Sequence, residues 1–357
     1  MRLDSIPPVT IPESSCPQDL ALLISERAER ALRDRGLWMR AIPFFEHFDA
    51  FRYREAAWEA KFKPNLIELP EVAARRAIRS YAFADELTRD VLRNFCPALP
   101  QGGEAAQRTL WAAAVLLDEI LDETALNPDQ LALLRTLTGF SQQTNSARDL
   151  YSSFPAPISG MVHTLLALLD RFYGDCRRRS GPISQFSAFH SDLLGILQAE
   201  LQSPSMTLDR PPDGQVRRLI QQKSAELCWV GFQSCLLGTA PEPSTLQTYR
   251  QLCDAVGEIL WIMDDLVDVE EDLARGVWNR TLWGVRDRVG AAQFNTACRS
   301  SAQLAHVITT EGIVEQTIHE VAQRLTFLAS HPAVEDADRL RSTLLFWILS
   351  WLGMYTR

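Results

Sequence analysis

Apolar residues recur at helical spacing along most of this chain, whereas period-2 alternation of β-branched residues and Asn-Gly or Asp-Gly hairpin turns are nearly absent. That pattern argues against sheet architectures and predicts an all-α fold. Helices are predicted over 18–35, 71–95, 104–124, 159–179, 185–202, 213–237, 245–274, 291–309, 313–329 and 334–355. Gly and Pro gather between them, at 97–103, 203–214 and 239–243, as helix stops and connectors. No long linker, low-complexity tract or internal repeat interrupts the series, so a single domain over 18–357 is expected, preceded by an extended arm over 1–17. With 357 residues and 46% hydrophobic side chains, the chain can fill a large core. The core helices are apolar all round, the mark of helices inside a bundle.

Composition removes several classes of function. The net charge is −9, which gives no general reason to bind nucleic acid, whose phosphates demand excess positive charge. Seven scattered cysteines with no C-x-x-C pair indicate neither a disulfide framework nor a zinc cage. Reduced thiols of a cytoplasmic protein are the expectation. The first twenty residues hold four prolines and one arginine, an extended arm rather than a targeting sequence. The most apolar stretch, 344–355, is far short of the roughly 20 residues a membrane-spanning helix needs, so no transmembrane segment is expected. His319-Glu320 lacks the second histidine of a zinc-protease helix, and no G-x-G-x-x-G, Walker loop or G-x-S-x-G elbow is present.

The charge is unevenly written. Ten of the 45 carboxylates fall in 118–123 and 264–272, and without them acids and bases balance to within one. The first cluster, Asp118-Glu119-Ile-Leu-Asp122-Glu123, follows wholly apolar turns, and a helix places Asp118 and Asp122 on one face. In the second, Asp264, Asp268 and Asp272 recur every four residues, a ridge that drifts only about 40° per step, with Asp265 beside it. Like charges at this spacing destabilise an isolated helix. They are either solvated helix ends or sites where hard Mg²⁺ joins one or two carboxylates to a substrate's phosphates. Lysine is the other oddity: among 36 basic residues only Lys61, Lys63 and Lys223 are lysines. Lys223, set among Ala, Leu, Cys, Trp and Val, reads either as a solvated charge or as a phosphate ligand.

D-E-x-x-D at 118–122, K-S at 223–224 and D-D-x-x-D-x-x-x-D at 264–272 resemble, in order and spacing, the three signature elements of trans-isoprenyl diphosphate synthases. The likeness spans roughly 110–285. It implies an all-α bundle of the isoprenoid synthase type around a deep central cavity, with three Mg²⁺ ions on an allylic prenyl diphosphate. By position Asp118, Glu119 and Asp122 carry over as metal ligands on one side, and Asp264, Asp265, Asp268 and Asp272 on the other. Lys223 carries over as a diphosphate contact. Asp118, Asp122, Asp264, Asp268 and Lys223 are then the catalytic set, and a homodimer is left open.

Departures from that pattern shape the expected function. Chain-elongating synthases bind isopentenyl diphosphate through G-G-K-R-x-R-P upstream and R-R-G after the first acidic motif. Here Glu123 is followed by Thr-Ala-Leu-Asn-Pro-Asp-Gln, with no arginine before Arg135, and Lys61-Phe-Lys63-Pro64 lacks the glycines. The sequence therefore resembles class IB terpene synthases, the group that includes the bacterial large terpene synthases, and a lyase that ionises and cyclises one allylic diphosphate is expected. The alternatives are a chain-elongating synthase with an acceptor site built from Arg75, Arg76 and Arg79, and a catalytically inactive homologue acting as a partner subunit. Arg275 and Arg280 are read either as surface salt-bridge formers or as diphosphate contacts on a closing loop. Trp111, Trp261, Trp347, Trp351 and Tyr355 pack a core or face a carbocation. The small Ala114 below Asp118 leaves room for a C20 geranylgeranyl tail, with C15 and C25 as neighbours.

Overall fold

The computed structural model describes residues 18–62, 69–100, 102–123, 126–139, 154–180, 183–202, 207–208, 218 and 225–353. Within them the chain is all-α. The helices are α1 Gln18–Asp34, α2 Ala41–Phe62, α3 Glu71–Glu86, α4 Gly103–Glu123, α5 Pro128–Gly139, α6 Ile158–Arg179, α7 Ile183–Gln202 and α8 Glu226–Leu236. Then follow α9 Pro243–Val267, α10 Val269–Arg275, α11 Arg280–Val289, α12 Ala291–Ala297, α13 Ser301–Thr310, α14 Ile313–Ser330 and α15 Ala337–Trp351. Among the described residues β-pairing is confined to one isolated bridge, Thr207 with Val277.

Several of these helices depart from the sequence expectation, among them α12 and α13, which divide the helix predicted over 291–309. Helix α2 carries Phe44, Phe45, Phe48, Phe51, Tyr53, Trp58 and Phe62 spread around its axis, so no apolar stripe announces it. Tertiary packing uses those rings on two sides: Phe44 meets Phe346 of α15 at 5.3 Å between centroids, and Phe62 stacks on Tyr81 of α3 at 4.3 Å. Helices α5 and α11 are short and were hidden between Gly- and polar-rich flanks. The predicted helix over 71–95 contains a π turn at Leu87–Leu92, after which Arg93–Phe95 resumes α-helical geometry. The predicted arm over 1–17, and the 213–224 part of the helix predicted over 213–237 apart from residue 218, lie outside the described residues.

Helix α4 runs through the centre, packed on α3, α6 and α8, while α9 packs on α8, α11, α14 and α15. Helix α8 thus lies between the two helices that carry the acidic clusters. Its residues are almost all buried, so it is apolar on every side rather than amphipathic. Close approach is secured by absent side chains. A Cβ on Gly103 would stand 2.6 Å from Cys235 Cα, and one on Gly257 would overlap the carbonyl oxygen of Ala225.

A buried ion pair ties the outer helices to this centre. Glu86, at the entry to the π turn, accepts hydrogen bonds from Arg54 of α2 at 2.5 Å and from Trp347 Nε1 of α15 at 2.7 Å. Burial pushes the Glu86 carboxyl up, against the opposing pull of Trp347 and Arg54.

Candidate active site

On α4, Ala112, Ala113, Leu116 and Leu117 are buried, yet Trp111, Ala114, Val115 and Asp118 are only half-buried. These four lie on one helical stripe, so a helix packed on its other sides keeps one face partly open below the first acidic motif. Asp122 stands in the last turn, its side chain outside the described residues. Glu119 does not join Asp118. It is buried and bound by Arg76 of α3.

The second motif is split. Its ridge was expected on one continuous helix, but α9 ends at Val267, Asp268 takes φ −92° and ψ 12°, and α10 begins at Val269. Asp264 is exposed and Asp268 half-buried. Gly257 and Trp261 precede them on the same face of α9, so this is the face that Ala225 abuts. Lys223, two residues before Ala225, lies outside the described residues. Asp265 turns toward the start of α11. It is nearly buried, and its Oδ2 accepts the Arg280 backbone N–H at 2.9 Å, at the start of α11. Asp272 accepts a hydrogen bond from Asn279 Nδ2 at 2.7 Å.

The arginines after this motif have protein partners. Arg275 pairs with Glu271 at 3.3 Å, one turn back on α10. Arg280 pairs with Glu320 of α14 and lies 5.4 Å from the Trp261 ring, which stacks on Trp278 at 6.3 Å. Among the described residues of the aromatic stripe on the last helix, Trp347 is the buried one. It packs on Phe83 at 4.6 Å, and Phe83 meets Trp111 edge-on at 5.0 Å. Trp351 is 38% exposed at the end of α15. Tyr355 lies outside the described residues.

Sequence reading missed Phe83, Asn279 and Glu320, and named Arg76 only for an acceptor site. Only Asn279 carried a local signal, an N-cap residue before a short helix. Lys61 is explained differently: its ammonium sits 4.7 Å from the Trp58 ring.

Among the described residues no three His, Cys, Asp or Glu side chains converge on one point. Asp118, Asp264, Asp268 and Asp272 offer oxygen donors alone, the kind that suit a hard cation taking one or two carboxylates and filling its shell with water and phosphate.

No family model matches the sequence, and no curated protein matches it. Solved structures do. A geranylgeranyl pyrophosphate synthase from Lactobacillus brevis superposes with a TM-score of 0.57 at 17% identity, over 86% of this chain and 98% of that one. The fold is that of the isoprenyl diphosphate synthases. A polyprenyl synthase from Caulobacter crescentus, solved with calcium and isoprenyl diphosphate, matches with a TM-score of 0.52 at 15% identity, over 96% of this chain and 99% of that one. A geranylgeranyl pyrophosphate synthetase from Pyrococcus horikoshii gives 0.50 at 12% identity, over 86% and 99%. In this chain α4 and α9 are the two helices that end in the acidic clusters, and both pack on α8.

Proposed function

We propose that this chain is a divalent-metal-dependent enzyme that ionises an allylic prenyl diphosphate between the ends of α4 and α9 and transfers the cation to isopentenyl diphosphate. The observation that carries the reading is that α4 and α9, each with a carboxylate cluster at its C-terminal end, both pack on α8 in a fold whose neighbours are prenyl diphosphate synthases. Elongation rather than cyclisation is favoured by those neighbours and by Arg76, which the fold brings onto the first acidic motif through Glu119. It thereby replaces the cyclase expectation as the leading reading.

Asp118, Asp264 and Asp268 would hold the cations, with Asp122 and Asp272 as partners. Bound Mg²⁺ would supply charge to stabilise the departing diphosphate. Lys223 adds a point charge to the same leaving group. The Trp111, Ala114 and Val115 face keeps water from the tail and sets its length, with room for a C20 chain.

Cyclisation is kept as a second reading on one specific observation. No arginine occurs in 124–134, and Lys61-Phe-Lys63-Pro64 lacks the paired glycines, so the usual second diphosphate site is incomplete. The deciding experiment incubates purified protein and Mg²⁺ with C10, C15, C20 and C25 allylic diphosphates, with and without isopentenyl diphosphate. Longer diphosphates formed only with the acceptor support elongation. Cyclic hydrocarbons or alcohols without it support the cyclase, and no product in either arm leaves a partner subunit.

A further inference from the structure

Two buried N–H donors below the first acidic cluster have no acceptor among the described residues: Nε2 of Gln107 and Nε1 of Trp111, one turn apart on α4. Gln107 is fully buried. Its Oε1 accepts from Thr88 Oγ1 at 2.8 Å and from Cys235 Sγ at 3.2 Å, which turns Nε2 the other way. Both nitrogens then meet at one place on α8. A Cβ on Gly231 would stand 3.6 Å from Gln107 Nε2 and 3.6 Å from Trp111 Nε1, with Gln107 Cγ its nearest neighbour at 3.5 Å. These are ordinary contact distances, so the missing side chain leaves room for one heavy atom between the two donors. The surroundings are apolar: Phe83 packs edge-on against the indole, and Trp347 packs on Phe83.

Buried donors are as a rule satisfied by protein or by ordered water. Two N–H groups repel a cation, and an anion would be desolvated there with no charge on Gln107, Trp111 or Gly231 to compensate it. A neutral oxygen, with two lone pairs, suits both nitrogens. We propose that Gln107, Trp111 and Gly231 form a binding site for one neutral acceptor oxygen, that of a water or of an oxygen-bearing hydrocarbon tail. Trp111 stands two turns below Asp118 on the half-open stripe through Ala114, and Gln107 one turn deeper, roughly 10 and 16 Å along the helix at 1.5 Å per residue. The site thus lies where the far end of a prenyl chain would rest, a placement that depends on the function proposed above.

Indole signals of the ¹⁵N-labelled full chain, with Trp111 assigned through Trp111→Phe, test the site before any prenyl ligand is added. The Trp111 indole proton is expected in the hydrogen-bonded range, with a nuclear Overhauser cross-peak to a long-lived water. Gly231→Ala puts a methyl group in the place of the oxygen, so the cross-peak should vanish and the indole proton should move upfield. Gly231→Ser brings its own acceptor, so the cross-peak should vanish while the indole proton stays downfield. An indole proton unmoved in Gly231→Ala overturns the proposal, because Trp111 would then donate to a reversed Gln107 amide. So does wild-type protein without the water cross-peak, a result that stands even if neither variant folds. Calorimetry with Mg²⁺ and thiodiphosphate analogues of C15 and C20 prenyl chains, with and without a terminal hydroxyl, separates the two sources. A hydroxylated chain that binds at least about tenfold tighter in wild type, but within about twofold in Gly231→Ala, assigns the oxygen to the tail. Equal affinities with the cross-peak retained assign it to water. If no analogue binds, the prenyl diphosphate reading fails, and the indole signals still decide the site.

Discussion

Asp254 lies on α9 upstream of the acidic end, 3.8 Å from Arg250, with its other carboxylate oxygen buried and unpartnered. Burial raises its carboxyl to about 6, with Glu226 and Glu258 adding to the effect and Arg250 opposing it. The sign follows from linkage. Between the unfolded value near 4 and about 6 the native state holds the proton and the unfolded state does not, so stability falls as pH rises through that window. Asp254→Asn removes the cost of a buried charge. Thermal melts should show the variant more stable than wild type at pH 7, with the advantage gone below about pH 4. Glu86 is the opposite case, a buried acid with two donors. Glu86→Ala would orphan Arg54 and Trp347 Nε1 and should cost about 3–5 kcal/mol in urea unfolding. At Arg76 the reading of function itself is at stake. Arg76→Gln should raise KM for isopentenyl diphosphate more than about tenfold, a loss of roughly 1.4 kcal/mol or more, while KM for the allylic diphosphate stays within about twofold. Equal changes in both would remove Arg76 from the acceptor site.

At the scale of elements, helix-to-helix distance is set by small residues. Gly257 sits where α9 crosses the start of α8, and any side chain would meet backbone, which cannot rotate aside. Gly257→Ala should therefore cost roughly 1–3 kcal/mol through overpacking, read as a lower denaturant midpoint at unchanged slope, and should weaken metal binding because the acidic end moves with its helix. The central helices were legible in the sequence because α4, α6 and α9 show their apolar stripes directly. Helix α2 was not, because its aromatic residues face two different neighbours and so lack a single period. The break at Asp268 was equally invisible: 264–274 has an unbroken helical pattern, and the interruption comes from Asn279 and Arg280 pulling the Asp265 and Asp272 backbone and side chains toward α11.

For the whole molecule, the net charge of −9 reduces to an almost neutral chain with ten carboxylates on two helix ends. Those ends should bind divalent cations only together with diphosphate, since no three protein ligands converge among the described residues. Calorimetry should find strong Mg²⁺ binding in the presence of inorganic pyrophosphate and weak binding without it. Asp118→Ala and Asp264→Ala should each abolish diphosphate release, and near-normal turnover in both would refute the metal assignment.

The sequence alone determined the all-α class and the two acidic helix ends, because both are written as local periodicity: apolar residues at helical spacing and carboxylates one turn apart. Which neighbour each carboxylate faces was decided only by tertiary structure. Adjacent residues on a helix point about 100° apart, so Asp118 and Glu119, or Asp264 and Asp265, look alike in the sequence yet face different neighbours. Arg76 claims Glu119 from another helix, and the N-terminus of α11 claims Asp265. Arg280 is likewise taken by Glu320, forty residues away, a pairing that no local spacing encodes.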